Sequence, residues 1–214
     1  MTVPWPGWNA SPMGSRSPAF SPADLPGLAL WLKADAITGL ADGEAVATWL
    51  DSSGNGRDAA QATESKQPSY QTNELNGLPA VQTDGGDELL TPSITGLAAL
   101  SVYFVVKSST PNADYFLRCG SDSNAIIQGY TENKWEWFSD PRTDLGTLST
   151  VAYKRFYTTV GSSVTSVWTL FNNASGAGTE FWTGLVCEII AYGAAHSATE
   201  SELVNDWLDA KYGL

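Results

Sequence analysis

Between residues 25 and 90 the chain alternates short apolar runs with clusters of Gly, Asn, Asp and Ser, and this rhythm restricts the fold more than any other feature. The segments read LPGLALWLKAD, VATWLDSSGNGRDAAQ and QPSYQTNELNGLPAVQTDGGDELL, with Trp31 and Trp49 inside the apolar runs. Leu28, Leu30 and Leu32 alternate with Ala29, Trp31 and Lys33, the period of a strand with one buried face. Runs of this kind, bounded by turn residues, specify an antiparallel β-sandwich.

The pattern continues past residue 90. The strongest strand signal is LSVYFVVK at 100–107. Further strands are expected at 46–50, 79–83, 88–90, 115–118, 125–128, 135–138, 155–160, 166–171 and 185–192. The C-terminus breaks the pattern. Ser197 and Glu200 form a capping box, Leu203, Val204, Trp207 and Leu208 share one helical face, and Gly213 is placed to end the helix.

Residues 1–24 differ from the rest. Pro4, Pro6, Pro12, Pro18 and Pro22 deny helix and ladder pairing, so an extended arm is expected ahead of one domain over 25–214. The arm carries Trp5, Trp8, Met13 and Phe20, which are costly to leave in water. It should therefore pack, either on its own domain or on a neighbouring subunit as an assembly device.

Eleven Lys and Arg against 23 Asp and Glu give a net charge of -12, which repels phosphate backbones and argues against nucleic acid as a partner. No run of about 18 apolar residues occurs, so no membrane span is expected. The N-terminal segment lacks the basic and apolar regions of a secretory signal. Cys119 and Cys187 are far apart in sequence and are expected to be buried free thiols.

Several chemistries can be tested against the residues. Glycoside hydrolysis needs two carboxyl groups about 5 to 9 Å apart. Glu132 and Glu136, four residues apart on one strand, would stand roughly 13 Å apart. Glu188 has no acidic neighbour in sequence, and the single histidine, His196, reads as a solvated residue beside the helix cap. No catalytic set emerges. Asp51, Asn55 and Asp58 in one loop, and Asp84 and Asp87 in another, could supply oxygens to calcium, although turn chemistry accounts for the same residues. A sugar needs exposed aromatic faces beside polar groups. Tyr130, Trp135 and Trp137 in YTENKWEWF offer them, with the two tryptophans on one strand face that either the core or a glycan would take.

Residues 25–90, with the closing stretch GLVCEIIAYGAAHSATESELVNDWLDAKYGL, resemble the concanavalin A-like lectin/glucanase superfamily, specifically its laminin-G-like branch in bacterial and phage proteins. The resemblance implies a jelly-roll sandwich and favours calcium at its rim. It leaves the ligand open, because this fold carries lectins, glycanases and structural modules alike.

The expectation is a non-enzymatic, homo-oligomeric, virion-associated accessory protein of a bacteriophage, a capsid decoration or tail-surface module. Its arm would hold other virion proteins and one sandwich face would meet host glycan. No cofactor is expected apart from the candidate calcium. The alternative is a carbohydrate-binding module of a larger secreted bacterial protein, located outside the cell.

Overall fold

The computed structural model describes residues 20–110, 114–120, 125–128, 134–138, 143–147, 149–160, 164–172 and 181–214. Its strands are β1 (Leu28–Lys33), β2 (Thr48–Trp49), β3 (Ala59–Ala60), β4 (Ser69–Leu75), β5 (Leu78–Asp84), β6 (Leu89–Leu90), β7 (Ile94–Leu97) and β8 (Leu100–Ser108). They continue as β9 (Asp114–Arg118), β10 (Ala125–Gln128), β11 (Lys134–Phe138), β12 (Thr143–Thr147), β13 (Lys154–Val160), β14 (Val164–Ser166), β15 (Thr169–Leu170) and β16 (Thr183–Tyr192). A helix, α1 (Ala198–Tyr212), follows.

Two antiparallel sheets stack as a sandwich. One runs β13-β8-β16-β5-β4, with β1 also paired to β16, and the other runs β12-β11-β10-β9-β15-β6-β3-β2. Strand β16 organises the first sheet. One of its edges meets β8 along its length, while the other meets β5 and then β1. The strand expected at 166–171 divides in two, because β14 pairs with β7 whereas β15 lies between β6 and β9.

Between the sheets lies the main core. Leu32, Val81, Val102 and Phe104 from one sheet meet Phe116, Ile126 and Trp135 from the other. Rings interlock there: Phe104 stands 5.2 Å from Trp135, and Phe116 stands 5.0 Å from Trp182, both edge-on. Edge-to-face pairs of this kind add to the stabilisation that burial alone supplies.

A second apolar layer covers the other face of the β8–β16 sheet. Tyr103, Val105, Ile190 and Tyr192 pack there against Val204, Leu208 and Tyr212 of α1. Strand β1 is therefore buried on both faces, with Leu30 and Leu32 inward and Trp31 outward. Its expected single buried face is corrected by the helix, which covers the side that would otherwise meet water. The helix carries the expected caps: Ser197 Oγ accepts from the Glu200 N–H, Glu200 accepts from the Ser197 N–H, and Gly213 adopts φ 67°.

A β-bulge in β16 changes which way Glu188 points. The register passes from Val186 opposite Val106 to Glu188 opposite Val105, leaving Cys187 without a partner. Val186 and Ile189 belong to the inner core, while Cys187 and Glu188 face the helix. The extra residue thus turns Glu188 away from the sandwich interior. There it accepts hydrogen bonds from Lys211 Nζ at 2.7 Å, from the Tyr212 hydroxyl and from the Trp31 indole N–H. Lys211 also pairs with Asp35 at 3.0 Å.

Of the arm residues, Phe20 packs against the second layer, and the Tyr192 hydroxyl donates to the Pro22 carbonyl at 2.8 Å. Trp5, Trp8 and Met13 lie outside the described residues. Cys119 and Cys187 are buried free thiols. Among the described residues no helix is long and apolar enough to cross a membrane.

Candidate functional site

Strand β13 is the end strand of its sheet, so one of its edges has no strand beside it in that sheet. Side chains two apart share a face. Arg155 and Tyr157 therefore project together toward α1, and Tyr153, just before the strand, extends the row. Tyr157 lies directly opposite Tyr103, and the two rings stack 5.6 Å apart at 10°. Tyr103 is buried, whereas Tyr157 remains 43% exposed. One phenol face is used by the stack, and the ring keeps an open side.

Arg155 forms a bidentate pair with Asp209 of α1, through Nε at 2.6 Å and Nη2 at 2.8 Å. That pair fixes the guanidinium plane on the strand face that also carries Tyr157. Tyr153 donates its hydroxyl to Glu74 at 3.3 Å, and Lys107 Nζ lies 5.0 Å from the centre of its ring. Burial, followed by the neighbouring Cys187 and Glu74, pushes the Tyr153 phenol well above its ordinary range, so it remains a donor. A cleft of about 450 Å³ opens here, lined by Tyr153, Lys154, Arg155, Asp209 and Leu214. An exposed ring beside fixed charged donors and acceptors is the chemistry that holds a sugar: the ring takes the apolar face, and the polar groups take the hydroxyls.

The residues picked out from sequence fall elsewhere. Trp135 and Trp137 are both 0% exposed within the main core, so their shared face packs inward and neither ring is open to a sugar. Tyr130 and Glu132 lie outside the described residues. His196 is half-buried rather than solvated: its Nδ1 is 2.8 Å from the Tyr103 hydroxyl, and its ring packs 4.2 Å from Tyr192. Burial holds its imidazole below the ordinary histidine range.

The two candidate calcium loops are folded by internal hydrogen bonds. Asp51 accepts from the backbone N–H groups of Trp31, Ser53 and Arg57 and from the Ser53 hydroxyl. Asp58 accepts from the Asp51 N–H, while Asn55 donates to the Leu28 and Ala29 carbonyls. Donors thus occupy both Asp51 carboxylate oxygens and one of Asp58. In the second loop Asp87 accepts from the Asp84 N–H, and Asp84 accepts from the Gly86 N–H. Burial pushes the Asp87 carboxyl up to about 6. Among the described residues no group of three or more His, Cys, Asp or Glu is arranged to hold a metal ion.

Tyr153, Arg155 and Tyr157 were not singled out from sequence. Their signal was the two-residue alternation in YKRFYTTV, which marks a strand but does not say that it lies at a sheet edge.

No family model matches the chain, and no curated protein matches it. Solved structures do share its fold. Domain 4 of AbnA, a GH43 extracellular arabinanase from Geobacillus stearothermophilus solved with arabinotriose, superposes with a TM-score of 0.57 at 16% identity. That match covers 84% of this chain and 97% of the domain. Trypanosoma rangeli sialidase superposes with a TM-score of 0.54 at 13% identity, over 95% of this chain and 35% of the sialidase. Its complex with sialic acid gives 0.54 at 12% over the same shares. The chain thus spans about a third of the sialidase. The expectation of a non-enzymatic protein is corrected by these matches, because the solved chains that share the fold come from an arabinanase and a sialidase. At such identities the likeness is one of fold and not of active site, and the fold it shows is an antiparallel β-sandwich.

Proposed function

We propose that this chain is a carbohydrate-binding β-sandwich domain of concanavalin A-like type, with its sugar site at the cleft beside β13. The observation that carries this reading is the partly exposed Tyr157 ring, stacked on Tyr103 and on the same face of the end strand β13 as Arg155, whose bidentate pair with Asp209 lines the cleft. Arabinotriose and sialic acid, present in the complexes of its fold neighbours, support the ligand class without naming the sugar. In this reading the domain works outside the cell, attached to a larger bacterial protein. Affinity electrophoresis through gels holding arabinan, a β-glucan or a sialylated glycoprotein tests it. At least one matrix is expected to retard the wild type, and Tyr157→Ala should abolish the retardation. Equal mobility of both proteins in every gel would refute the reading.

A virion-surface accessory protein could use the same cleft on a host glycan. What favours this second reading is the apolar arm with Trp5, Trp8 and Met13. Its test is light scattering of the full chain beside a version lacking residues 1–24: loss of a defined oligomer supports it, and two identical monomers count against it. Calcium at Asp51, Asn55 and Asp58, or at Asp84 and Asp87, is a separate proposal. It requires that added calcium raise the unfolding temperature and that EDTA reverse the rise.

A further inference from the structure

We propose that the turn joining β16 to α1 is an acid-released latch, and that protonation of His196 opens it. This latch goes beyond the glycan-binding reading and stands without it.

Residues 193–197 connect the central strand of the six-stranded sheet to the helix that covers it. Backbone groups hold the turn at three points. The Gly193 N–H donates to the Gly27 carbonyl at 2.8 Å, and the His196 N–H donates to Ser101 Oγ at 3.0 Å. Ser101 Oγ donates in turn to the Ala194 carbonyl at 2.8 Å. The imidazole completes the closure. Its Nδ1 lies 2.8 Å from the Tyr103 hydroxyl, which is also 3.0 Å from Ser201 Oγ in the first turn of α1. Its ring packs 4.2 Å from Tyr192, whose hydroxyl reaches the Pro22 carbonyl. One side chain thus ties β8 and β16 to the start of the helix and, through Tyr192, to the end of the arm. Opening would free the first turn of α1, the Pro22 end of the arm and the Tyr103 ring on which Tyr157 stacks.

The second ring nitrogen decides what a proton does here. Nε2 is buried and has no hydrogen-bond partner among the described residues. Neutral imidazole has one N–H, which Nδ1 can share with the Tyr103 oxygen. Imidazolium has two, and the second would stand at Nε2 with nothing to accept it. From α1, the Glu200 carboxylate favours the charged ring, but it already accepts from the Ser197 N–H and hydroxyl. The backbone N–H groups at that end of the helix oppose a cation. From β8 and β16 the facing groups are the Tyr103 and Tyr192 phenols, both pushed up by burial and so uncharged. Tyr157 of β13 lies behind Tyr103, and Asp24 acts on Tyr192 while it accepts from the Ser21 N–H. Burial outweighs Glu200 and holds the imidazole below its ordinary 6.5. The open turn therefore takes a proton more readily than the closed one. The closed form is fully favoured above about 6.5 and loses ground as pH falls.

Amide hydrogen exchange of the full chain at pH 7 and pH 5, corrected for the intrinsic pH dependence of exchange, tests the latch. The opening constant read at the Gly193 and His196 amides is expected to rise about tenfold on acidification, with a ceiling of about twenty-five-fold set by the ordinary histidine value. In His196→Asn, whose amide replaces Nδ1 without titrating, the rise should shrink below about twofold. His196→Gln serves as a second variant if the first fails to fold. A proton NMR titration of the one histidine needs no variant: its midpoint should lie below 6.5 in the native protein and return to that value in strong urea. A native midpoint at or above 6.5 would overturn the latch, as would equal opening constants at the two pH values. A rise that persists undiminished in the folded variant would overturn the assignment to His196.

Discussion

The hydroxyl of Tyr212 donates to the carboxylate of Glu188 at 2.6 Å, joining the last turn of the C-terminal helix to the central strand of the six-stranded sheet beneath it. Glu188 is fully buried, and burial pushes its carboxyl up, against the opposing pull of Lys211. It is tolerated there because three donors converge on it, and they converge because the bulge at Cys187 turns it toward the helix. Removing the Glu188 charge leaves Lys211 with the partly exposed Asp35 as its one carboxylate partner among the described residues and gives the Tyr212 and Trp31 donors a weaker, neutral acceptor. Glu188→Gln is therefore expected to cost about 3 kcal/mol, and Tyr212→Phe about 1 kcal/mol. Urea unfolding of both variants and of the double variant measures these losses. Because the two residues are in contact, the double loss should differ from the sum by about 0.5 kcal/mol or more.

Asp87 carries a pH signature. Its carboxyl gives up its proton near 3.8 in the unfolded chain and at about 6 in the fold, chiefly because it is buried. Between those values the folded state holds more protons, so this residue's contribution falls as pH rises through the window. Asp87→Asn removes that contribution. Relative to the wild type, the variant should gain stability between pH 4 and pH 7, on the order of 1 kcal/mol. Parallel chemical denaturation at both pH values reads the difference, and a constant offset would contradict the assignment.

Trp135 and Trp137 should affect stability and not sugar affinity. Both are wholly buried, and their indole N–H groups have no hydrogen-bond partner among the described residues. Trp135→Ala is expected to cost about 3 to 5 kcal/mol. Trp135→Phe should cost less, because it deletes an unsatisfied donor along with the second ring. Folded Trp135→Phe should retain the wild-type affinity for any sugar that binds.

The thiols should be silent in the native state. Burial pushes both Cys119 and Cys187 well above the ordinary thiol range, so neither offers a thiolate at neutral pH. A thiol reagent is expected to label neither in buffer and both in strong denaturant.

Much of this fold can be read from local chemistry. The strand at 100–107 is a near-continuous apolar run, and the closing helix announces itself through Ser197, Glu200 and Gly213; the structure places all of these as expected. Strand β4, with the sequence SYQTNEL, lies at a sheet edge and needs no apolar face, so periodicity could not reveal it. The two-residue strands β2 and β3 are set by their partners rather than by their own residues. The bulge at Cys187 leaves no mark in LVCEIIAY, since both registers are apolar. Trp135 and Trp137 show the main difficulty with the site. Alternation says that they share a face, but only the opposing sheet says that this face is inside. Tyr157 is the converse case, an aromatic in a strand whose exposure depends on β13 being last in its sheet.

The most direct test is a map of amide chemical shifts in labelled protein as an oligosaccharide of the glycan that most retards it in affinity gels is added. Shifts concentrated at Tyr153 to Tyr157, Lys107 and Asp209 are expected, and Tyr157→Ala should abolish them. Shifts centred on the β12–β11–β10 sheet, with β13 unmoved, would contradict the account.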